Sequence, residues 1–149
     1  MLKKRLEQAF QAHQKGDVDM ARALYQSILS EDPTFADALH LLGILEMQTG
    51  NIEEAIQRLY EATSQAPDNV SFWGNLGNAL RSSGRWTEAQ SAWKKALYLQ
   101  PEDSDLLANI GISYLALGNR TQAASMWSHA LSYFNLIGLH RLHTGSCWA

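Results

Sequence analysis

Residues 36–69 read ADALHLLGILEMQTGNIEEAIQRLYEATSQAPDN. Their apolar positions fall into two runs at helical spacing: Leu39, Leu42, Gly43 and Met47, then Ile52, Ala55, Ile56, Leu59 and Ala62. Gly50 and Asn51 separate the runs. Glycine readily takes the left-handed conformation that closes a helix, and Pro67 cannot continue a second one. Two amphipathic helices of roughly 14 residues joined by a tight turn account for the whole stretch.

The same punctuation recurs on both sides. Gly16, Gly50, Gly84 and Gly118 stand 34 residues apart, and Pro33, Pro67 and Pro101 keep the same interval. A fixed period of this length indicates stacked helical hairpins, each too small to bury a core alone. Small residues repeat as well: Gly43, Gly77 and Gly111, with Ala9, on first helices, and Ala21, Ala55, Ala89 and Ala123 on second helices. They mark the helix crossing inside each hairpin, because minimal side chains let two backbones approach. Tyr25, Leu59, Trp93 and Trp127 on second helices, and Leu39, Trp73 and Leu107 on first helices, are expected to fill the space beside it. Ala62, Ala96 and Ala130, with Ile28, are expected to face the following hairpin. The fold class is therefore all-α, a solenoid of antiparallel helix pairs.

The pattern resembles the tetratricopeptide repeat (TPR) family. Trp73-Gly74-Asn75-Leu76-Gly77, Glu88-Ala89, Trp93, Ala96 and Pro101 carry the resemblance, as do Leu107, Ile110, Gly111, Tyr114, Ala123, Trp127 and Ala130. It implies a right-handed superhelix of four hairpins whose concave face is lined mainly by first helices. Repeats at 2–35, 36–69, 70–103 and 104–137 would make one domain over 1–137, with 138–149 a tail or partial cap.

Composition narrows the functional classes. Apolar residues make up 46% of the 149 positions and charged residues 18%, which suits an ordered chain. A formal net charge of -3 removes the basic footprint of a nucleic-acid binder. No apolar run suits a secretory signal, so a cytoplasmic location is the default expectation. Thr121 to His140 lacks formal charge, but Ser125, Ser128, His129 and Ser132 are among its eight polar residues, which reads as a helix burying one face, with no membrane partner. The one cysteine, Cys147, leaves no intrachain disulfide, and a helix would align it with His140 and His143. Three ligands around Gly145 fall short of a structural zinc set, so neither metal nor cofactor is expected. Glu46, Glu53, Glu54 and Glu61 read as a solvated acidic face. No nucleophile motif, phosphate loop or paired-carboxylate setting appears, so the chain reads as non-enzymatic.

The ends differ. Arg5 and Gln8 stand where the family carries apolar residues, reading as a polar outer face at the start of the stack. Asn135 stands where proline is due. Trp127, Tyr133, Phe134, Leu136 and Ile137 make the last hairpin a candidate partner surface, covered either by a tail folded back as a short helix, by further sequence, or by another chain in a homodimer.

In the resembling family the groove-facing rows of the first helices map onto Phe10 and His13, His40 and Ile44, Asn75, Asn78 and Arg81, then Asn109 and Ile112. Asn75 and Asn109 are 34 apart, and an amide both donates to and accepts from a peptide backbone, which suits an extended ligand. The alternative is a bond between neighbouring helices. His13 and His40 are expected to neighbour each other as polar lining. A clamp for an acidic tail is disfavoured, because Leu6, His40 and Gly74 hold places where cations would be required. The reading is a protein-binding scaffold; the alternatives are the recruiting arm of a larger enzyme, such as a glycosyltransferase, and a structural homodimer.

Overall fold

Each of the four periodic glycines takes a positive φ, between +76° and +88°, and each closes a first helix in the same way. After Gln48, for example, the Gly50 N–H donates to Met47 O (3.3 Å) and the Asn51 N–H to Glu46 O (2.8 Å). This paired return satisfies carbonyls that the helix end leaves open, and it turns the chain back on itself. The structure, a computed structural model, describes the backbone of residues 1–144 and the side chains of residues 1–136. Within them lie eight helices and no strand: α1 (Leu2–Gln14), α2 (Val18–Glu31), α3 (Ala36–Gln48), α4 (Ile52–Gln65), α5 (Val70–Ser82), α6 (Trp86–Leu99), α7 (Ser104–Ala116) and α8 (Arg120–Thr144).

Second helices stop for a different reason. Asp32, Ala66 and Gln100, which precede the three prolines, are pushed to non-helical backbone angles, ending α2, α4 and α6. Asn69 and Asp103 then start the next first helix by accepting backbone N–H groups, from Phe72 and from Asp105 and Leu106. At Asn135 no proline intervenes, and α8 runs for 25 residues where α6 has 14. The chain thus continues as one helix through Gly138 to Thr144.

Helices pair within hairpins, and each second helix packs on the next first helix. Inside a hairpin the large residue of the second helix lies on the glycine of the first. A methyl added at Gly43 would stand 2.7 Å from Leu59 Cγ, and one at Gly77 or Gly111 would enter the ring of Trp93 or Trp127. Trp93 is fully buried, and its Nε1–H donates to Gly74 O (3.2 Å); Trp127 does the same to Ala108 O (3.3 Å). Ala62 meets Phe72 of the next hairpin, and Ala96 joins Leu106 and Ile110. Ala130, without a following hairpin, is only half-buried. Trp73 packs against the core that holds Trp93 but stays half-buried: it donates to Pro67 O (2.8 Å) and carries Lys95 over its ring, while Phe72 beside it is buried with Leu39 and Ala62.

Gly77→Ala should lower the unfolding free energy by about 1–3 kcal/mol, since a rigid buried indole cannot retreat from the added carbon. Urea denaturation measures this, and an unchanged midpoint would show that the crossing has slack.

Candidate functional site

Successive first helices α1, α3 and α5 approach one another directly, so they line the inner face of the stack. Residues one repeat plus one position apart meet across this face, and three equivalent meeting points differ in chemistry. Leu6 and Leu41 line one hollow between α1 and α3, His40 bonds Asn75 between α3 and α5, and Gly74 and Asn109 line a second hollow between α5 and α7. The middle point is closed. The Asn75 Nδ2–H donates to His40 Nε2 at 2.8 Å, and the imidazole stacks on Phe72 with 4.4 Å between ring centroids.

The outer two points are open. Leu6, Glu7, Phe10, Asp37, His40 and Leu41 surround a depression of ≈ 310 Å³ with a largely apolar lining. Its counterpart, two repeats on, has a volume of ≈ 290 Å³ and includes Ser71, Gly74, Asn75, Asn78, Asp105 and Asn109 in its lining. Gly74 has open space where a side chain would project, with only Leu106 at 4.0 Å. Asn109 therefore faces a position that has no side chain to offer it, whereas Asn75 is already engaged by His40. The two asparagines are equivalent in sequence and unlike in availability.

Burial pushes the His40 pKa down from its ordinary 6.5 to about 4, against a smaller opposing pull from Asp37, so the ring is neutral near pH 7. A neutral ring accepts from Asn75. His13 does not neighbour it: its Nε2–H donates to Gln48 Oε1 (2.7 Å), and its Nδ1 accepts from the Tyr25 hydroxyl (3.2 Å). Of the remaining predicted groove residues, Phe10 and Ile112 are exposed, and Ile44 and Asn78 are half-buried. Arg81 lies with its guanidinium 5.9 Å from the Trp93 ring centroid, tied to the hairpin crossing.

For Asn75 the bond to a neighbouring helix, the alternative open in the sequence, is the one formed; the offset of that bond and the place of Glu46 were not legible there. The His40–Asn75 and His13–Gln48 bonds both span 35 positions, a regularity that the 34-residue period conceals because facing residues are offset by one. Glu46, taken as part of a solvated face, is buried. It accepts from Arg22 Nε (2.6 Å) and Asn51 Nδ2 (2.5 Å), stitching the first two hairpins together. Burial raises its pKa, but these bonds and the guanidinium outweigh burial and hold it below the usual carboxylate range.

At the C-terminal end, Trp127 fills the crossing of its own hairpin, as its place in the series of large residues predicts, and is half-buried. Tyr133 is half-buried, Phe134 and Leu136 are 69% and 62% exposed, and Ile137 lies outside the described side chains. Leu131 is 61% exposed, whereas Leu97, its equivalent one repeat earlier, packs against the core under α7. No cluster of three metal-ligating side chains occurs among the described residues; His140, His143 and Cys147 lie outside the described side chains. No helix among the described residues is long and apolar enough to cross a membrane.

Comparison with known proteins agrees with this geometry. A family model described as tetratricopeptide repeat matches residues 12–76 and 47–97, and a second, described as TPR repeat, matches 77–118. Cellulose synthase operon protein C of Komagataeibacter xylinus is 34% identical over 67 residues, which are 45% of this chain and 5% of that protein. The match thus spans a small fraction of its curated relative. The crystal structure of MamA superposes with a TM-score of 0.88 at 21% identity, covering 92% of this chain and 80% of that one, a likeness of fold. An O-GlcNAc transferase structure from Thermobaculum terrenum gives a TM-score of 0.69 at 30% identity, over 76% of this chain and 22% of that chain.

The low pKa of His40 has a measurable consequence. The unfolded chain takes up a proton below pH 6.5 that the folded ring refuses until about pH 4, so stability falls as pH drops through that window and is fully restored above it. Urea midpoints between pH 7.5 and pH 4 should fall less steeply in His40→Gln than in the parent. Parallel slopes would clear His40 of the effect.

Proposed function

The chain belongs to the tetratricopeptide repeat family, and on that footing we propose that it is a non-catalytic scaffold that binds an extended segment of a partner protein along its inner face. The observation that carries this reading is the open, amide-lined depression at Gly74 and Asn109. A peptide backbone offers one donor and one acceptor per residue, and a primary amide answers both. Gly74 lets that backbone come close to α5. Asn78 and Ser71 add further polar atoms on the same wall.

Asn75 takes a supporting part, since its amide holds His40 and thereby separates the two depressions. Asn109→Ala should weaken binding of a segment captured from a partner by about tenfold, the worth of one or two hydrogen bonds left unmade, with helicity unchanged. Asn75→Ala should cost stability and less affinity. Equal affinity of parent and Asn109→Ala in anisotropy titrations would remove the amide from the mechanism.

A second reading concerns the end of the stack. Leu131, Phe134 and Leu136 present apolar surface where the earlier hairpins are covered by a following first helix. We propose that another helix seats there, supplied by a second copy in a closed dimer. Light scattering should give twice the chain mass for the parent and the single mass for a Leu131→Asp, Phe134→Asp double variant. A monomeric parent at high concentration sinks the dimer. The remaining alternative, a recruiting arm carried by a longer enzyme, draws on the likeness to the O-GlcNAc transferase.

A further inference from the structure

The depression between α1 and α3 has a composition that its counterpart lacks. Leu6 and Leu41 form its floor, and Phe10, 41% exposed, forms an apolar wall. Glu7 and Asp37 are the only formally charged residues that line it, both are exposed, and His40 at its inner end is neutral. Neither carboxylate makes a salt bridge among the described residues. Lys3 and Lys4 stand one helical turn before Glu7 on α1, and neither lines the depression. Sixty-eight residues on, the equivalents of Leu6, Glu7, Phe10 and Leu41 are Gly74, Asn75, Asn78 and Asn109. The repeat architecture therefore offers the same hollow twice, each with two carboxylates in its lining, Glu7 and Asp37 or Asp103 and Asp105, but once with an apolar floor and once with amides.

We infer that the hollow at Leu6 and Leu41 is a side-chain anchor selecting, in the extended segment, a bulky aliphatic residue with a lysine or arginine beside it. This rests on the groove reading above and adds the chemistry of the ligand. A leucine-sized side chain removes apolar surface from water on both sides of the contact. Its cationic neighbour meets two carboxylates at the rim, whereas an acidic neighbour meets like charge in a hollow that no lysine or arginine lines. The contribution of each exposed pair is modest, so the selection is expected to be graded and sensitive to salt.

The test uses the full chain and four fluorescein-labelled decapeptides of Gly and Ser that carry Leu-Lys, Ala-Lys, Leu-Glu or Ala-Glu at the centre. Anisotropy titration should rank Leu-Lys about tenfold tighter than Ala-Lys and about fivefold tighter than Leu-Glu at low salt. The Glu7→Lys, Asp37→Lys double variant should reverse the charge preference and keep the preference for Leu. Phe10→Asp should erase the preference for Leu; both variants alter exposed positions, and circular dichroism verifies that they fold. Peptides that bind with no preference among the four overturn the anchor and leave the groove reading standing. If Asn109→Ala weakens all four alike, that separates the two hollows. Failure of every peptide to bind overturns both readings.

Discussion

Everything in this stack depends on how closely two helices can cross inside one hairpin. In the last three hairpins a glycine on the first helix lies directly beneath Leu59, Trp93 or Trp127 of the second, and the clearance is so small that one added carbon would enter a ring or an isobutyl group. That contact sets the spacing of the pair. The spacing sets where the hairpin offers its outer alanines, and the alanines admit the next hairpin, Ala62 against Phe72 and Ala96 against Leu106. Repetition of one local constraint produces the inner face.

That face is uniform in backbone and varied in chemistry. Three meeting points between first helices share a geometry, yet they carry two leucines, a histidine with an asparagine, and a glycine with an asparagine. Because the framework is indifferent to what stands at these positions, each point is open to its own use. The middle point has become a strut, with a neutral imidazole clasped between Phe72 and Asn75. The other two remain hollows. A repeat protein thereby separates what holds it together, buried inside hairpins, from what it presents along the groove.

Polar groups share in holding the hairpins together. Glu46 is the clearest case: a largely buried carboxylate, retained because Arg22 from the preceding hairpin and Asn51 from its own turn both donate to it. Removing either donor would leave charge uncompensated in a partly dry setting. His13, bridging Tyr25 of its own hairpin and Gln48 of the next, works along the same seam. The seam between the first two hairpins is thus polar as well as apolar.

Period, helix ends and hairpin crossings were all legible in the chain, because each follows from interactions between residues close in sequence or from a residue's own backbone preference. Gly50 turns a helix whatever surrounds it, Pro67 ends one, and their recurrence at 34 positions declares the stack. The absent proline at 135 was legible too, although its consequence, a helix of 25 residues running past Gly138, awaited the backbone. What tertiary structure alone decided is which equivalent residues are equally available. Asn75 and Asn109 are the same letter in the same register, and they differ because one faces His40 and the other faces Gly74 across a boundary offset by one residue. Glu46 departs from its expected role for a kindred reason. Whether a polar or aromatic side chain meets water or a neighbour depends on the element packed over it, and that is a property of the assembled stack.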